Sequence, residues 1–129
     1  MSDKNTGNFS GEANAAIASL PRTTFTFPEA VRTATDPKKI VIRQLTYNEE
    51  KAAMEAKEHG GGSFAAEGCK RAICEADGKP ITWTNDQAET FFMGLSNKVR
   101  DLAVQGFVRV ALPNKAEIDD FLASAKTTA

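Results

Sequence analysis

Hydrophobic and polar residues alternate in the first part of the chain, which predicts β-structure there. The run TTFTF places Phe25 and Phe27 on one face of a strand. Pro28 limits this strand to the edge of a sheet, because proline has no backbone N–H to donate. After a turn-like stretch, KKIVIRQL supplies a short run of β-branched residues. The two runs predict a β-hairpin in which residues 23–31 pair with residues 38–45.

Beyond this hairpin the apolar positions recur three and four residues apart, which is typical of α-helices. Capping residues, good helix formers and glycine or proline stops give the bounds of the predicted helices. A DG turn and a very short extended segment, residues 80–83, interrupt the series. The predicted helices cover residues 47–58, 64–75, 85–95 and 96–112, with one more helix beyond Pro113.

The last predicted helix carries an apolar stripe whose purpose has two interpretations. Asn114 and Glu117 start the helix with a capping-box-like pairing, and Ile118, Phe121 and Leu122 share one face. We expect the stripe to pack on the preceding helix as part of the core. The alternative is that it is held out for a partner, and a stripe in this position can also do both.

These patterns predict an α+β fold, with an N-terminal β-hairpin followed by a mainly helical bundle of four to five short helices. The length of 129 residues is near that of one domain, which we place at residues 22–126. Residues 1–21 are expected to form a mobile N-terminal arm, including a weak helix over residues 12–20, and residues 127–129 form a tail.

Charge and hydropathy argue against two classes of partner. The formal net charge is −1, so the chain lacks the basic excess with which nucleic-acid-binding proteins neutralise phosphates. No run approaches the roughly 18 consecutive apolar residues of a membrane-spanning helix, and the polar start has no signal-peptide core. We therefore expect a cytosolic protein that binds neither nucleic acid nor membrane.

The residues that usually carry catalysis or bind metals are few and scattered. The single histidine, His59, lies at a predicted helix end beside three glycines, where it is typical of a charge partner for the helix C-terminus. Cys69 and Cys74 are five residues apart, about 140° around a helix, which suits free thiols better than a mutual disulfide. With no nucleotide fingerprint or zinc spacing, we predict no enzyme, no catalytic residue, no cofactor and no metal.

One larger pattern remains after catalysis is set aside. The strand segment VIRQLTYNEE leads into an alanine-rich helix. DGKPITW then follows a helix of small residues. The run KVRDLAVQGFVRVAL is joined through a proline to the acidic helix EIDDFL. This layout resembles the small tail-assembly proteins of tailed bacteriophages, in particular the tail assembly chaperones encoded beside the tape-measure gene. The resemblance covers roughly residues 22–126 and rests on hydrophobic spacing.

The resemblance implies a non-enzymatic protein in the host cytoplasm that coats the hydrophobic tape-measure protein until tail-tube subunits polymerise around it. The alternative is a structural baseplate, hub or tail subunit that stays in the virion and contacts neighbouring subunits. A homo-oligomer and a host binding module without a viral link are further open possibilities. The residues expected to bind partners are Phe25, Phe27, Phe107, Val108, Ile118, Phe121 and Leu122.

Overall fold

The computed structural model of this chain describes residues 20–81 and 85–126, and side chains 85 and 86 are left out of that description. Residues 1–19 of the predicted arm, the end of the predicted extended segment at residues 82–83 and the predicted tail at residues 127–129 lie outside the described residues. The elements are β1 (Arg22–Thr26), a 3-10 turn (Glu29–Val31), β2 (Lys39–Arg43), α1 (Tyr47–Glu58), α2 (Phe64–Ala72), β3 (Ile73–Ala76), β4 (Lys79–Pro80), α3 (Asn85–Gly94), α4 (Asn97–Ala111) and α5 (Lys115–Ala123).

The predicted α+β fold and its N-terminal hairpin are confirmed, but the strands are shorter than predicted, and residues 29–31 form a 3-10 turn after Pro28 where the prediction extends the first strand. Strands β1 and β2 pair antiparallel, with Arg22 opposite Arg43 and Thr26 opposite Lys39. They belong to a four-stranded sheet in the order β1-β2-β3-β4, so β1 forms one edge. Helices of the mainly helical part pack on this sheet, and α4 contacts β2 directly.

A second hairpin, β3–β4, corrects the prediction of a helix over residues 64–75. Helix α2 ends at Ala72, and Ile73 enters the sheet opposite Ile42 on β2. Asp77 and Gly78 turn the chain with positive φ angles of 51° and 81°, which is the geometry of a two-residue hairpin turn. Pairing with a distant strand thus overrides the local helical pattern.

Helix α1 begins and ends where the sequence predicts. The Thr46 side chain accepts a hydrogen bond from the Glu49 amide, and the Glu49 carboxylate accepts one from the Thr46 amide. The same carboxylate binds both terminal nitrogens of the buried Arg43, at 2.8 Å and 2.6 Å. One side chain therefore caps α1 and fastens this helix to strand β2.

The core lies between the sheet and helices α2 and α4, and Phe107 is at its centre. Its side chain is only 2% exposed, and its ring lies over Gly68 of α2. A Cβ atom added at Gly68 would lie 2.4 Å from the ring Cζ, so only glycine permits this approach. Helix α4 contributes Val99, Ala103 and Phe107 to this core. Other buried apolar residues are Phe27, Ile40, Ile42, Cys69, Ala72, Ile73, Phe92 and Leu95.

A buried carboxylate joins the β1–β2 connection to the start of α4. Asp36 accepts hydrogen bonds from the Ser96 amide at 3.0 Å and from the Ser96 hydroxyl at 2.7 Å. It also accepts bonds from the amide and hydroxyl of Thr33. These bonds, those from Ser96 first, hold the pKa of Asp36 well below its ordinary value. The loop is thereby fixed to the N-terminus of the central helix.

Candidate interaction surface

Helix α5 contains no buried residue. The side chains of Ile118, Phe121 and Leu122 are 42%, 74% and 62% exposed. No other described helix or strand packs broadly against this helix. The expectation that this stripe packs on α4 as part of the core is therefore wrong.

The connection between α4 and α5 explains this separation. Leu112 is extended, with φ −109° and ψ 139°, as expected for a residue before proline. Asn114 is also extended, and it shares a capping box with Glu117 in which both hydrogen bonds measure 2.8 Å. We call residues 112–114 the joint. Its conformation is determined locally, by Pro113 and this capping box.

A second exposed apolar surface runs along α4. Leu102 and Val108 on α4 are exposed, and so is Leu112 at the start of the joint; at about 100° per residue the two α4 side chains lie within roughly a third of the helix circumference. Sequence reasoning did not assign Leu102 and Leu112 to an interaction surface. The sequence does indicate such a surface, because this helix is apolar on nearly all sides and only one face can meet the sheet.

Between this face of α4 and strand β1 lies a hollow of about 760 Å³, which we call the β1–α4 trough. Phe25 and Pro28 line its strand side, and Leu102 and Val108 line its helix side. Gly106 lets the strand approach closely, because a Cβ there would lie 3.4 Å from the Phe25 ring. A smaller hollow of about 380 Å³ lies beyond Phe25, towards the joint.

The predicted partner-binding residues differ in burial and form three groups. Phe27 and Phe107 are 3% and 2% exposed and belong to the core, so the expectation that they contact a partner is corrected. Phe27 follows the end of β1, where its amide bonds the Lys38 carbonyl and its ring turns inward. Phe25 is half-buried at the trough. The exposed members of the predicted set are Val108, Ile118, Phe121 and Leu122.

Charge differs between α5 and the trough. Helix α5 contains one lysine and three carboxylates, a net charge of −2, and Lys115 pairs with Asp119 at 2.7 Å. The charged residue that lines the trough is Arg109. Its side chain has no ion pair or hydrogen bond within the described part of the chain. An acidic apolar helix and an apolar trough with one free cation thus lie on the same chain.

A separate cluster of charges lies beneath the glycine loop that follows α1. The Lys70 ammonium binds Glu67 at 2.8 Å and Glu89 at 2.9 Å, and Arg71 binds Glu67 at 3.3 Å. Burial raises the pKa of Glu67, but bonds from Lys70, the Gly62 amide and Arg71 outweigh it and hold the pKa below its usual range. These charges satisfy one another and fasten the loop to α2, which indicates a structural role.

The cysteines are free thiols, as predicted, with Cys69 buried and Cys74 half-buried on β3. Burial raises the pKa of the Cys69 thiol to about 12, and burial is also the main cause of the raised pKa of Cys74. The thiolate, which is the nucleophilic form, is therefore suppressed at both sites.

Two further features are absent from the residues that the structure describes. No group of three or more histidine, cysteine, aspartate or glutamate side chains there could hold a metal ion. No helix in the same ranges is long and apolar enough to cross a membrane.

Comparisons of this chain with protein-family models, with curated proteins and with solved structures find no match. The exposed faces of α4 and α5 are thus the features on which a functional proposal can be based.

Proposed function

We propose that this chain is a non-enzymatic bacteriophage tail morphogenesis protein, a tail assembly chaperone that binds the tape-measure protein through the apolar faces of α4 and α5. The observation that carries the proposal is the exposed stripe of α5, which no other described element covers. Exposed apolar patches of this kind usually mark protein interaction sites. The sequence resemblance supplies the class of partner.

A helical partner suits the geometry of the stripe. Ile118, Phe121 and Leu122 stand at positions i, i+3 and i+4, the spacing at which amphipathic helices engage one another. Helix α5 carries its own capping box, which favours the helical conformation and lowers the cost of ordering this short helix on binding. The chaperone would cover apolar residues of the tape-measure protein in the host cytoplasm and release them when tube subunits compete for the same surface.

The test is co-expression of the chain with the tape-measure protein of the same phage, followed by affinity purification. The variant Phe121→Asp should reduce recovery of the tape-measure protein roughly tenfold or more, since a charge in an apolar contact costs at least about 1.4 kcal/mol. Met54→Asp is the matched control, because Met54 is also an exposed apolar residue but lies on α1. Equal recovery with Phe121→Asp and the unaltered chain would rule out α5 as the binding element.

Mass spectrometry of purified particles against the lysate tests the chaperone role itself. A chaperone should be abundant in the lysate and absent from finished particles. Abundant recovery in particles would instead favour a structural baseplate, hub or tail subunit. The observation in favour of that second function is strand β1, whose outer edge is unpaired within residues 20–81 and 85–126 and could accept a strand from a neighbouring subunit.

A further inference from the structure

Helix α5 and the β1–α4 trough both present apolar side chains and carry opposite charges. The helix offers an apolar ridge with acidic side chains beside it, and the trough offers apolar walls with the free guanidinium of Arg109. Opposite charges arranged around matching apolar surfaces favour one specific docking register. Since both surfaces lie on this chain, a second copy supplies the whole complement.

We propose that the trough is occupied by helix α5 of a second copy of this chain. In this contact Phe121 and Leu122 pack against Leu102 and Val108, and a carboxylate of α5 pairs with Arg109. If each copy gives its α5 to the other, the two contacts are equivalent and the assembly is a closed two-fold dimer.

The joint explains why the occupant is another copy and not the helix of the same chain. Folding α5 back along its own α4 would require the extended joint to become a tight reverse turn. Pro113 disfavours a helical conformation at Leu112, and the capping box holds Asn114 extended. Exchange between copies preserves these conformations, which is the usual basis of a swapped helix.

This inference concerns the surface that the proposed function uses, but it does not depend on a phage partner. Its test uses the purified full-length chain alone, so it can fail while tape-measure binding succeeds, and the reverse also holds. If both are correct, the dimer and the partner complex compete for the same residues.

Disulfide trapping distinguishes an α5 helix that occupies the trough of a second copy from one that occupies the trough of its own chain. In a Cys74→Ser background, with the buried Cys69 retained, the single variants Val108→Cys and Phe121→Cys are prepared separately, mixed and oxidised. We expect a covalent heterodimer linked between positions 108 and 121, several-fold in excess of the homodimers linked at one position. The control pair, Met54→Cys mixed with Phe121→Cys, should show no such excess because α1 lies outside the contact.

Two results would overturn the proposal. One is a double variant, Val108→Cys with Phe121→Cys, that closes an intrachain disulfide as a monomer, which would show that α5 folds onto its own trough. The other is a strictly monomeric unaltered chain in sedimentation equilibrium at the highest soluble concentration. If the unaltered chain dimerises, Arg109→Glu should weaken the dimer roughly tenfold, and unchanged dimerisation would exclude the trough as the contact.

Discussion

Helices α4 and α5 follow each other in the chain but have opposite relations to the core. Helix α4 buries Val99, Ala103 and Phe107, whereas α5 buries none of its residues although it carries Phe121 and Leu122. Both helices have apolar faces. An amphipathic pattern therefore indicates that a helix has a contact surface, and the rest of the fold decides whether that surface is covered.

The two helices differ in burial because only α4 packs broadly against other described elements of the chain. Phe107 meets a glycine on α2 that leaves room for its ring, and burial of a large apolar side chain stabilises a fold by about 1.5–3 kcal/mol. Helix α5 has nine residues, a length at which an isolated helix is marginally stable in water. We expect the two regions to open with very different free energies.

The largest contrast should come from truncating one phenylalanine in each region. Phe107→Ala should lower the free energy of unfolding by about 3–5 kcal/mol, because it leaves a cavity between α2, α4 and the sheet. Phe121→Ala should change it by less than about 0.5 kcal/mol in dilute monomer, because its side chain is exposed. Urea denaturation monitored by circular dichroism measures both. Comparable losses in the two variants would mean that α5 packs on the core in solution.

A smaller contrast concerns two glycines. Gly68→Ala forces a methyl group into the Phe107 ring, which has no free space to move, and should destabilise the chain by about 1–3 kcal/mol. Gly94→Ala places its Cβ in open space at the end of α3 and should be neutral or stabilising by up to about 1 kcal/mol. Thermal unfolding compares the two variants. A neutral Gly68→Ala would show that α2 and α4 are more loosely packed than described.

The smallest effect is a pH dependence located in the compact region. The pKa of Asp36 is lower in the folded chain than its unfolded value of about 3.9. Its contribution to stability is therefore fully present above that pH and is lost as the pH falls towards the folded pKa. Asp36→Asn should be less stable than the unaltered chain at neutral pH, and the difference should shrink on acidification.

Asp120→Asn on α5 makes the same change of charge at an exposed position and serves as the control. We expect this variant to keep the acid dependence of unfolding that the unaltered chain shows. The fluorescence of the single tryptophan monitors unfolding. A constant difference in the free energy of unfolding between Asp36→Asn and the unaltered chain, from about pH 6 to pH 2, would contradict the role of Asp36.

Local signals predicted much of this fold. The TTFTF alternation located the first strand, and the Thr46 and Glu49 capping box located α1 to the residue. The prediction places residues 73–75 at the end of a helix, whereas they belong to β3. Their pairing with β2 depends on residues more than thirty positions earlier in the chain, which no local window contains.

The candidate surface could be predicted only in part. Helical spacing correctly grouped Ile118, Phe121 and Leu122, but it could not decide whether another element covers them. Phe25 and Phe27 share a strand face by pattern and both border the trough, yet Phe25 is half-buried and Phe27 is buried. Spacing gives the direction of a side chain relative to its neighbours, whereas burial depends on how elements from distant parts of the sequence assemble.

The joint at residues 112–114 also has a consequence for how this chain can evolve. Because α5 is attached through locally determined backbone and contributes no buried residue, substitutions on its apolar face leave the stability of the compact region almost unchanged. Most proteins lie close to a stability threshold, which restricts the mutations that a binding surface can accept. Substitutions on α5 escape that restriction, so this helix should diverge in sequence faster than the core that carries it.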